Sequence, residues 1–348
     1  MKPNAANVSN EEIQNTQVPL TQARFFAVFD PKSPTDSLSG LSLQLLEEQK
    51  QSWPQLAQGY ASLATVKLRE LQCDGYRVFL QFNPGRIVST GAKVDERSIR
   101  ERPCFLCVEN LPQPQKGILY GEEFLVLCNP APIFREHLTI SNVNHIPQAI
   151  GPFLDTFLSL ARDLSPGFSL FYNGARCGAS APDHMHFQAN PSGAIPVEKD
   201  SGDTTRRELR KRIGDVSLFS LERYGRRVLV LECASKEALQ TVLRSTIASI
   251  QRLIGTSEEP LLNILASYEP HIWRVILFPR DKHRPDAYFK EGKERILISP
   301  AAVDIGGLVI TPLERDFESV DAGMIERIFA EVSIEQQMFE EMIEGIRA

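Results

Sequence analysis

The chain has 348 residues, enough to bury one large core or two ordinary ones, and 42% of them are hydrophobic, the proportion of a globular protein. Its 38 basic residues are outnumbered by 44 acidic ones, a net charge of −6, so no global basic field exists to release the counterions of a polyanion and no nucleic-acid partner is expected. No apolar run approaches the ~20 residues of a membrane helix. The first residues, MKPNAANVSNEEIQ, lack the apolar run of a signal peptide. Six cysteines in a chain of this length do not make a secreted disulfide framework, so a soluble, reduced, cytoplasmic protein is the expectation.

Residues 1–20 are polar and read as a tail. Between 36 and 72, Leu41, Leu45, Leu46, Leu56, Tyr60, Leu63, Leu68 and Leu71 recur at helical spacing, broken at Pro54, which predicts a helical lead-in. Asp74-Gly75 then opens a strand over 76–82, where Val78, Leu80 and Phe82 alternate. Further strands are expected at 124–127 and 138–141. A helix over 150–164 carries Phe153, Leu154, Phe157, Leu158, Ala161 and Leu164 on one side and ends at Pro166-Gly167. A strand at 168–172 runs into a Gly/Ser-rich turn, and the next, 184–189, stops at Pro191-Ser192-Gly193. The charged stretch 194–225 reads as a connection with one short helix, and its basic run Arg206, Arg207, Arg210, Lys211 and Arg212 as a solvated helix face. A strand at 227–232 precedes a helix over 236–254, closed by Gly255. Strands at 261–267, 272–278 and 307–311 and an amphipathic helix over 322–346 complete the chain. Strands followed by a helix, twice, predict an α+β protein of two halves built alike. The expected division is a polar tail and helical lead-in at 1–72, a first half bearing the site at 73–200, and a second half at 201–348.

The chemistry concentrates in 173–188, NGARCGASAPDHMHFQ. His184, His186 and Gln188 alternate, so on a strand all three share one face. Two imidazoles and an amide beside a Gly/Ser-rich turn suit a site that handles phosphate: a neutral imidazole attacks phosphorus, and turn amides and a Gln hold the oxygens. Separately, Cys104 and Cys107 form a Cys-x-x-Cys pair, whose thiolates can chelate one tetrahedral zinc if two further ligands are supplied.

The pattern Asn-Gly, Gly-x-Ser-x-Pro, His-x-His-x-Gln resembles the branch of the histidine-triad superfamily that transfers nucleotidyl groups. That branch includes galactose-1-phosphate uridylyltransferases, diadenosine tetraphosphate phosphorylases and GDP-hexose phosphorylases. The resemblance covers roughly 75–315. It includes Gln81, Asn83, Gly85 and Arg86, similar to a Q-x-N-x-G-R segment of the GDP-hexose phosphorylases, and weaker likeness around Ile298-Ser299-Pro300 and 306–310. It implies two histidine-triad-like halves, each an antiparallel sheet with a packed helix. It makes His186 the nucleophile of a covalent nucleotidyl intermediate and Gln188 a donor to a phosphate oxygen. Asn173, Gly178, Ser180 and Arg176 become substrate contacts, Arg176 being equally readable as a solvated loop residue. Arg280 and Lys282, in a basic cluster with His283 and Arg284, are candidates for the distal phosphate. The chain departs from the family's Ser-x-Pro-His by one inserted residue, Asp183. In the uridylyltransferases a Cys pair, a downstream His and the first His of His-x-His hold zinc, which implies Cys104, Cys107, His145 and His184 as the ligands of a structural zinc here.

The implied substrate is a nucleotide-sugar or a dinucleoside polyphosphate, with phosphate or a sugar phosphate as acceptor. His-Met-His-Phe-Gln is closer to the phosphorylases and the zinc pattern to the uridylyltransferases, so the acceptor stays open. Hydrolysis of the same substrates, or a catalytically silent nucleotide-binding module, are the alternatives. Uridylyltransferases of this family pair as dimers and some phosphorylases act alone, which leaves a homodimer open. His137, in Glu136-His137-Leu138-Thr139-Ile140, resembles the His-x-x-hydrophobic strand of histidine-triad proteins and is read as a strand start rather than a residue near the nucleotide.

Overall fold

Segments such as FLVLC and FSLFYN are nearly continuous apolar runs because both faces of their strands are covered. A computed structural model describes residues 24–91 and 95–348; the polar stretch 1–20 lies outside them. Among the described residues the strands are β1 (Phe25–Phe29), β2 (Lys67–Gln72), β3 (Arg77–Phe82), β4 (Gly117–Tyr120), β5 (Phe124–Cys128), β6 (Leu138–Asn142), β7 (Phe168–Asn173), β8 (His186–Pro191), β9 (Arg207–Ile213), β10 (Val216–Leu221), β11 (Leu229–Cys233), β12 (Leu262–Glu269), β13 (Ile272–Pro279) and β14 (Leu308–Thr311). The longer helices are α1 (Leu38–Ser52), α2 (Pro54–Ser62), α3 (Leu154–Asp163), α4 (Lys236–Ile254), α5 (Ala322–Val332) and α6 (Gln336–Gly345).

Eleven strands form one sheet in the order β1-β4-β5-β6-β8-β7-β12-β13-β11-β10-β9, and β2, β3 and β14 form a second. Within the large sheet the chain runs twice through one plan. Three meandering strands, a helix and a hairpin are traced first by β4-β5-β6-α3-β7-β8 and again by β9-β10-β11-α4-β12-β13. This is the α+β architecture of two similar halves, but not two separate sheets. β7 pairs with β12, Asn173 opposite Asn263 and Tyr172 opposite Ile264, so each half covers an edge that the other would leave unpaired.

One face of this sheet packs Leu170, Tyr172 and Phe187 against α1, α3, α4 and α6 through Leu45, Phe157, Leu243 and Met342. The other face, over the second half, packs Leu265, Ile276 and Phe278 against β3, β14 and α5 through Leu80, Val309 and Phe329. Over the first half this second face is covered at β4 and β5 by Val108 and Leu111, and the rest is left for the cavity described below.

Three expectations are corrected. The helical lead-in ends early: α1 and α2 form as expected, but 67–72 is β2, since pairing with β3 overrides the helix propensity of Lys-Leu-Arg-Glu-Leu-Gln. The connection 194–225 has its short helix at Pro196–Asp200 but also holds the β9–β10 hairpin. The basic run lies on β9, where Arg207 pairs with Glu232, Arg210 with Glu340, and Lys211 donates to carbonyls ending α6. The C-terminal helix is two helices: α5 packs on one face of the large sheet and α6 on the other, and the chain crosses between them at Ser333, bridged to Arg280.

Candidate active site

The strand β8 begins at His186, two residues later than its alternation implied, so His184 stands in the turn before it. Only His186 and Gln188 share the strand face; Phe187 points the other way, stacked near Phe124 and Phe157 in the helical core. His186 is 3% exposed. Its backbone N–H donates to Gln148 Oε1 at 2.7 Å, and the Gln148 amide donates in turn to the carbonyls of Asn173 and His186 at 2.9 and 3.0 Å. Gln148 therefore ties the end of β7 to the start of β8. The His186 Nδ1 lies 2.8 Å from the His184 carbonyl oxygen. A carbonyl only accepts, so Nδ1 carries the proton and Nε2 keeps its lone pair. Burial lowers the His186 pKa to about 4, so the ring is neutral at physiological pH.

Beside it, Gln188 Oε1 lies 3.0 Å from His137 Nε2. His137 is fully buried, edge-on to Phe134 and near Phe171, and burial followed by the charge of Arg86 lowers its pKa to about 3. Asn173, at the end of β7, accepts through Oδ1 from Asn263 Nδ2 at 2.9 Å and from the Ala302 N–H at 2.8 Å. The turn that follows is held against the second half: Gly178 has φ +99, and a Cβ there would lie 2.5 Å from that of Ala301. Glycine is needed for both the backbone angle and the close approach.

His186, Gln188, Asn173, Gly178 and Ser180 all line one cavity of about 700 Å³, a volume suited to a nucleotide-sized ligand. Both halves wall it. Among the described residues its cationic side chains are Arg86, Arg102 and Arg284, joined by His283, with one buried carboxylate, Asp304. Burial raises Asp304 to about 6 and lowers Arg86 to about 10. The segment bearing Arg86 is strapped to the loop before His137. Asn83 Nδ2 donates to the Pro132 carbonyl, Gln81 Nε2 to that of Ile133, and Arg86 Nη1 to that of Ala131 at 2.7 Å.

Three of the residues singled out in the sequence are not brought to this cavity. Arg280 is buried beneath it, with its guanidinium donating to Asn263 Oδ1 and to the carbonyls of Pro300, Val332, Lys282 and His283. Lys282 is exposed and pairs with Asp286 and Glu331. Arg176 points to solvent and pairs with Glu258. Arg284, a neighbour in the same basic cluster, lines the cavity instead. Gln148, Arg102 and Asn263 carried no signal in the sequence; Arg86 did, as the last residue of its segment.

Cys104, Cys107, His145 and His184 converge, with all four ligand atoms within 4.8 Å of one another. Cys104 Sγ lies 3.3 Å from His184 Nδ1, and Cys107 Sγ lies 3.1 Å from His145 Nδ1. The His184 Nε2 is 2.8 Å from the Asn142 carbonyl, which places the proton there and turns the Nδ1 lone pair toward the thiols. The inserted Asp183 lies outside this set, its carboxylate 3.6 Å from His145 Nε2 and 3.4 Å from Arg102. The cluster fits a metal: two thiols, two imidazoles with inward nitrogens, and polar groups behind the rings. Because Nδ1 of His186 is tied to the carbonyl of His184 itself, this cluster and the cavity share one turn of chain.

Residues 196–348 match the GDPGP1-like, C-terminal domain, and residues 45–191 match a domain of unknown function, DUF4922. Among solved structures the chain is similar to yeast Ap4A phosphorylase Apa2, with a TM-score of 0.50 at 15% identity, covering 81% of this chain and 94% of that one. The complex of Apa2 with Ap4A gives 0.51 at 13% identity, covering 82% and 97%. A uridylyltransferase mutant is matched at a TM-score of 0.36 and 11% identity, covering 74% and 98%. No curated protein matches the sequence. The chain shares the fold of the Ap4A phosphorylase Apa2. Among the described residues no helix is long and apolar enough to cross a membrane.

Proposed function

We propose that this chain is an enzyme that transfers a nucleotidyl group from a nucleotide-sugar or dinucleoside polyphosphate through a covalent nucleotidyl-His186, with inorganic phosphate as the favoured acceptor. The observation that carries this reading is the His186 ring, neutral, protonated at Nδ1 against the His184 carbonyl, with a nucleophilic nitrogen left in a cavity lined by three arginines. In the first step the Nε2 lone pair attacks the α-phosphorus. An N–P bond forms, the bond to the bridging oxygen breaks, and a sugar phosphate or nucleotide leaves with the electron pair. In the second, a phosphate oxygen attacks the same phosphorus, the N–P bond breaks, and the neutral imidazole is restored. Amide groups of Gln188 and Asn173 and the turn Gly178–Ser180 hold the α-phosphate oxygens. Arg86, Arg102 and Arg284 offset the charge of the remaining phosphates. The GDPGP1-like domain and the placement of Arg86 in the cavity support a nucleotide-sugar; the fold of the Ap4A phosphorylase supports a dinucleoside polyphosphate.

Cys104, Cys107, His145 and His184 would hold zinc in this reading. Four protein ligands leave no open position, so zinc supplies a cross-link between the cysteine loop and the turn bearing His186 rather than Lewis acidity.

The test is the intact mass of the protein after brief incubation with UDP-glucose, GDP-glucose or diadenosine tetraphosphate, without acceptor and with His186→Ala in parallel. The expected result is the gain of one nucleotidyl group from one donor, acid-labile, absent in the variant, and discharged by inorganic phosphate. Discharge by water alone points to a hydrolase. Tight nucleotide binding with no adduct and no turnover points to the silent module.

A further inference from the structure

His137 takes no part in the reaction just described, yet it is among the most enclosed polar side chains of the molecule. Its two ring nitrogens have different neighbours. The Ile133 backbone N–H donates to Nδ1 at 3.2 Å. A neutral imidazole that accepts at Nδ1 carries its proton at Nε2. That proton has one partner, Gln188 Oε1 at 3.0 Å. The orientation of the Gln188 amide follows: its oxygen is held by His137, and its NH2 group faces the cavity with no protein acceptor among the described residues. Were the amide reversed, two donors would meet between His137 and Gln188, and the cavity would present a carbonyl oxygen to an anionic ligand.

We infer that His137 is a positioning residue that fixes Gln188 with its two N–H donors toward the phosphate, acting through the bond from His137 Nε2 to Gln188 Oε1. The inference rests on the reading of the cavity as a phosphate site. The surroundings are built to keep this arrangement. Tyr60 Oη, from α2, accepts from the His137 backbone N–H at 3.2 Å and donates to its carbonyl at 3.1 Å, clamping the strand start. Gln81 Nε2 holds the Ile133 carbonyl on the residue whose N–H fixes the tautomer. The ring also stays neutral: burial and Arg86 oppose its protonation, and a protonated His137 would lose the Ile133 bond.

A double-mutant cycle on the rate of His186 labelling by the reactive donor tests the link. His137→Phe keeps an aromatic ring and removes the donor; Gln188→Ala removes the group it acts on. If His137 acts through Gln188, His137→Phe slows labelling by about tenfold in the wild type and by less than about twofold in the Gln188→Ala background. An equal loss in both backgrounds overturns the inference in favour of a structural role. A second arm is independent of turnover: nitrogen-15 NMR of the wild type reads the tautomer of His137, and the Gln188 side-chain amide is followed during titration with inorganic phosphate. The expected result is an Nε2–H tautomer and a Gln188 amide that shifts with phosphate in the wild type but not in His137→Phe. An Nδ1–H tautomer, or an amide shift unchanged by the substitution, overturns it. If no donor labels the protein, the covalent reading fails by itself and the second arm still decides the role of His137.

Discussion

The two halves of the large sheet follow one plan and differ in what their last hairpin carries. In the first half β8 sets His186 opposite Ser141 and Gln188 opposite Thr139, polar residues on a face left open. In the second half the corresponding strand, β13, sets Ile276 opposite Val230, with Phe278 two residues on along the same face, and the small sheet covers them. The polar residue nearest this strand's end, Arg280, is enclosed by backbone carbonyls. One scaffold thus carries the candidate site on one half and supports it with the other. The support contributes through its loops: His283, Arg284, Ala301 and Asp304 reach the same cavity. The strand plan sets where a side chain stands; whether it reacts depends on what covers it.

The sharpest break of the comparison is His186→Ala. Labelling by any donor should fall by at least about a thousandfold, measured by intact mass, with little loss of stability. The support half offers no second imidazole on β13, so residual labelling elsewhere would contradict the assignment of chemistry to one half. Next is Cys107→Ser. Loss of one ligand should remove about one zinc per chain by elemental analysis and lower Tm by roughly 10 °C, since a structural zinc contributes folding free energy directly.

Arg280→Met tests the support role. It strands several buried acceptors and should cost about 3 kcal/mol in urea unfolding, with KM for the donor unchanged in the folded fraction. Arg284→Met should shift the balance toward binding, raising KM by roughly tenfold while costing less stability than Arg280→Met, although it gives up contacts to Ser299 and Tyr288. Acid should destabilise both halves. His137 and His283, one from each half, are held neutral by burial, with pKa values of about 3 and about 4. In the unfolded chain they titrate near ~6.5. Between these values the unfolded state binds more protons than the native one, so stability should fall as pH drops from about 6.5 toward 4. His137→Phe should flatten the dependence of the urea midpoint on pH. The smallest effect is expected of Arg176→Ala, whose exposed ion pair with Glu258 should change stability by less than about 0.5 kcal/mol.

Much of this site was legible because its signals are local. His-x-His-x-Gln, the Gly/Ser turn before it and Cys-x-x-Cys are patterns over a few residues, and β6, β7, α3, α4, β12 and β13 announce themselves by alternation or by a 3.6-residue stripe. Where reading failed, the deciding interaction lay far along the chain. Strand β2 looked helical until β3 paired with it, and β9 looked like a helix face until Glu232 and Glu340 met its arginines. Arg280 and Lys282 looked like anion ligands because charge can be read from a sequence while burial and pairing cannot.

The sequence by itself determined the chemical vocabulary of this protein: a neutral-capable histidine beside a Gly/Ser-rich turn, a thiol pair at metal spacing, and two rounds of strands and helix. Only the tertiary structure decided which nitrogen of His186 is free, because that depends on the His184 carbonyl folded back against Nδ1. It alone decided that Arg284 and Arg86, and not Arg280 or Lys282, face the cavity. The physical reason is the same in each case. A side chain's identity is covalent and local, whereas its protonation, direction and access to ligand are set by atoms that only folding brings within about 3 Å of it.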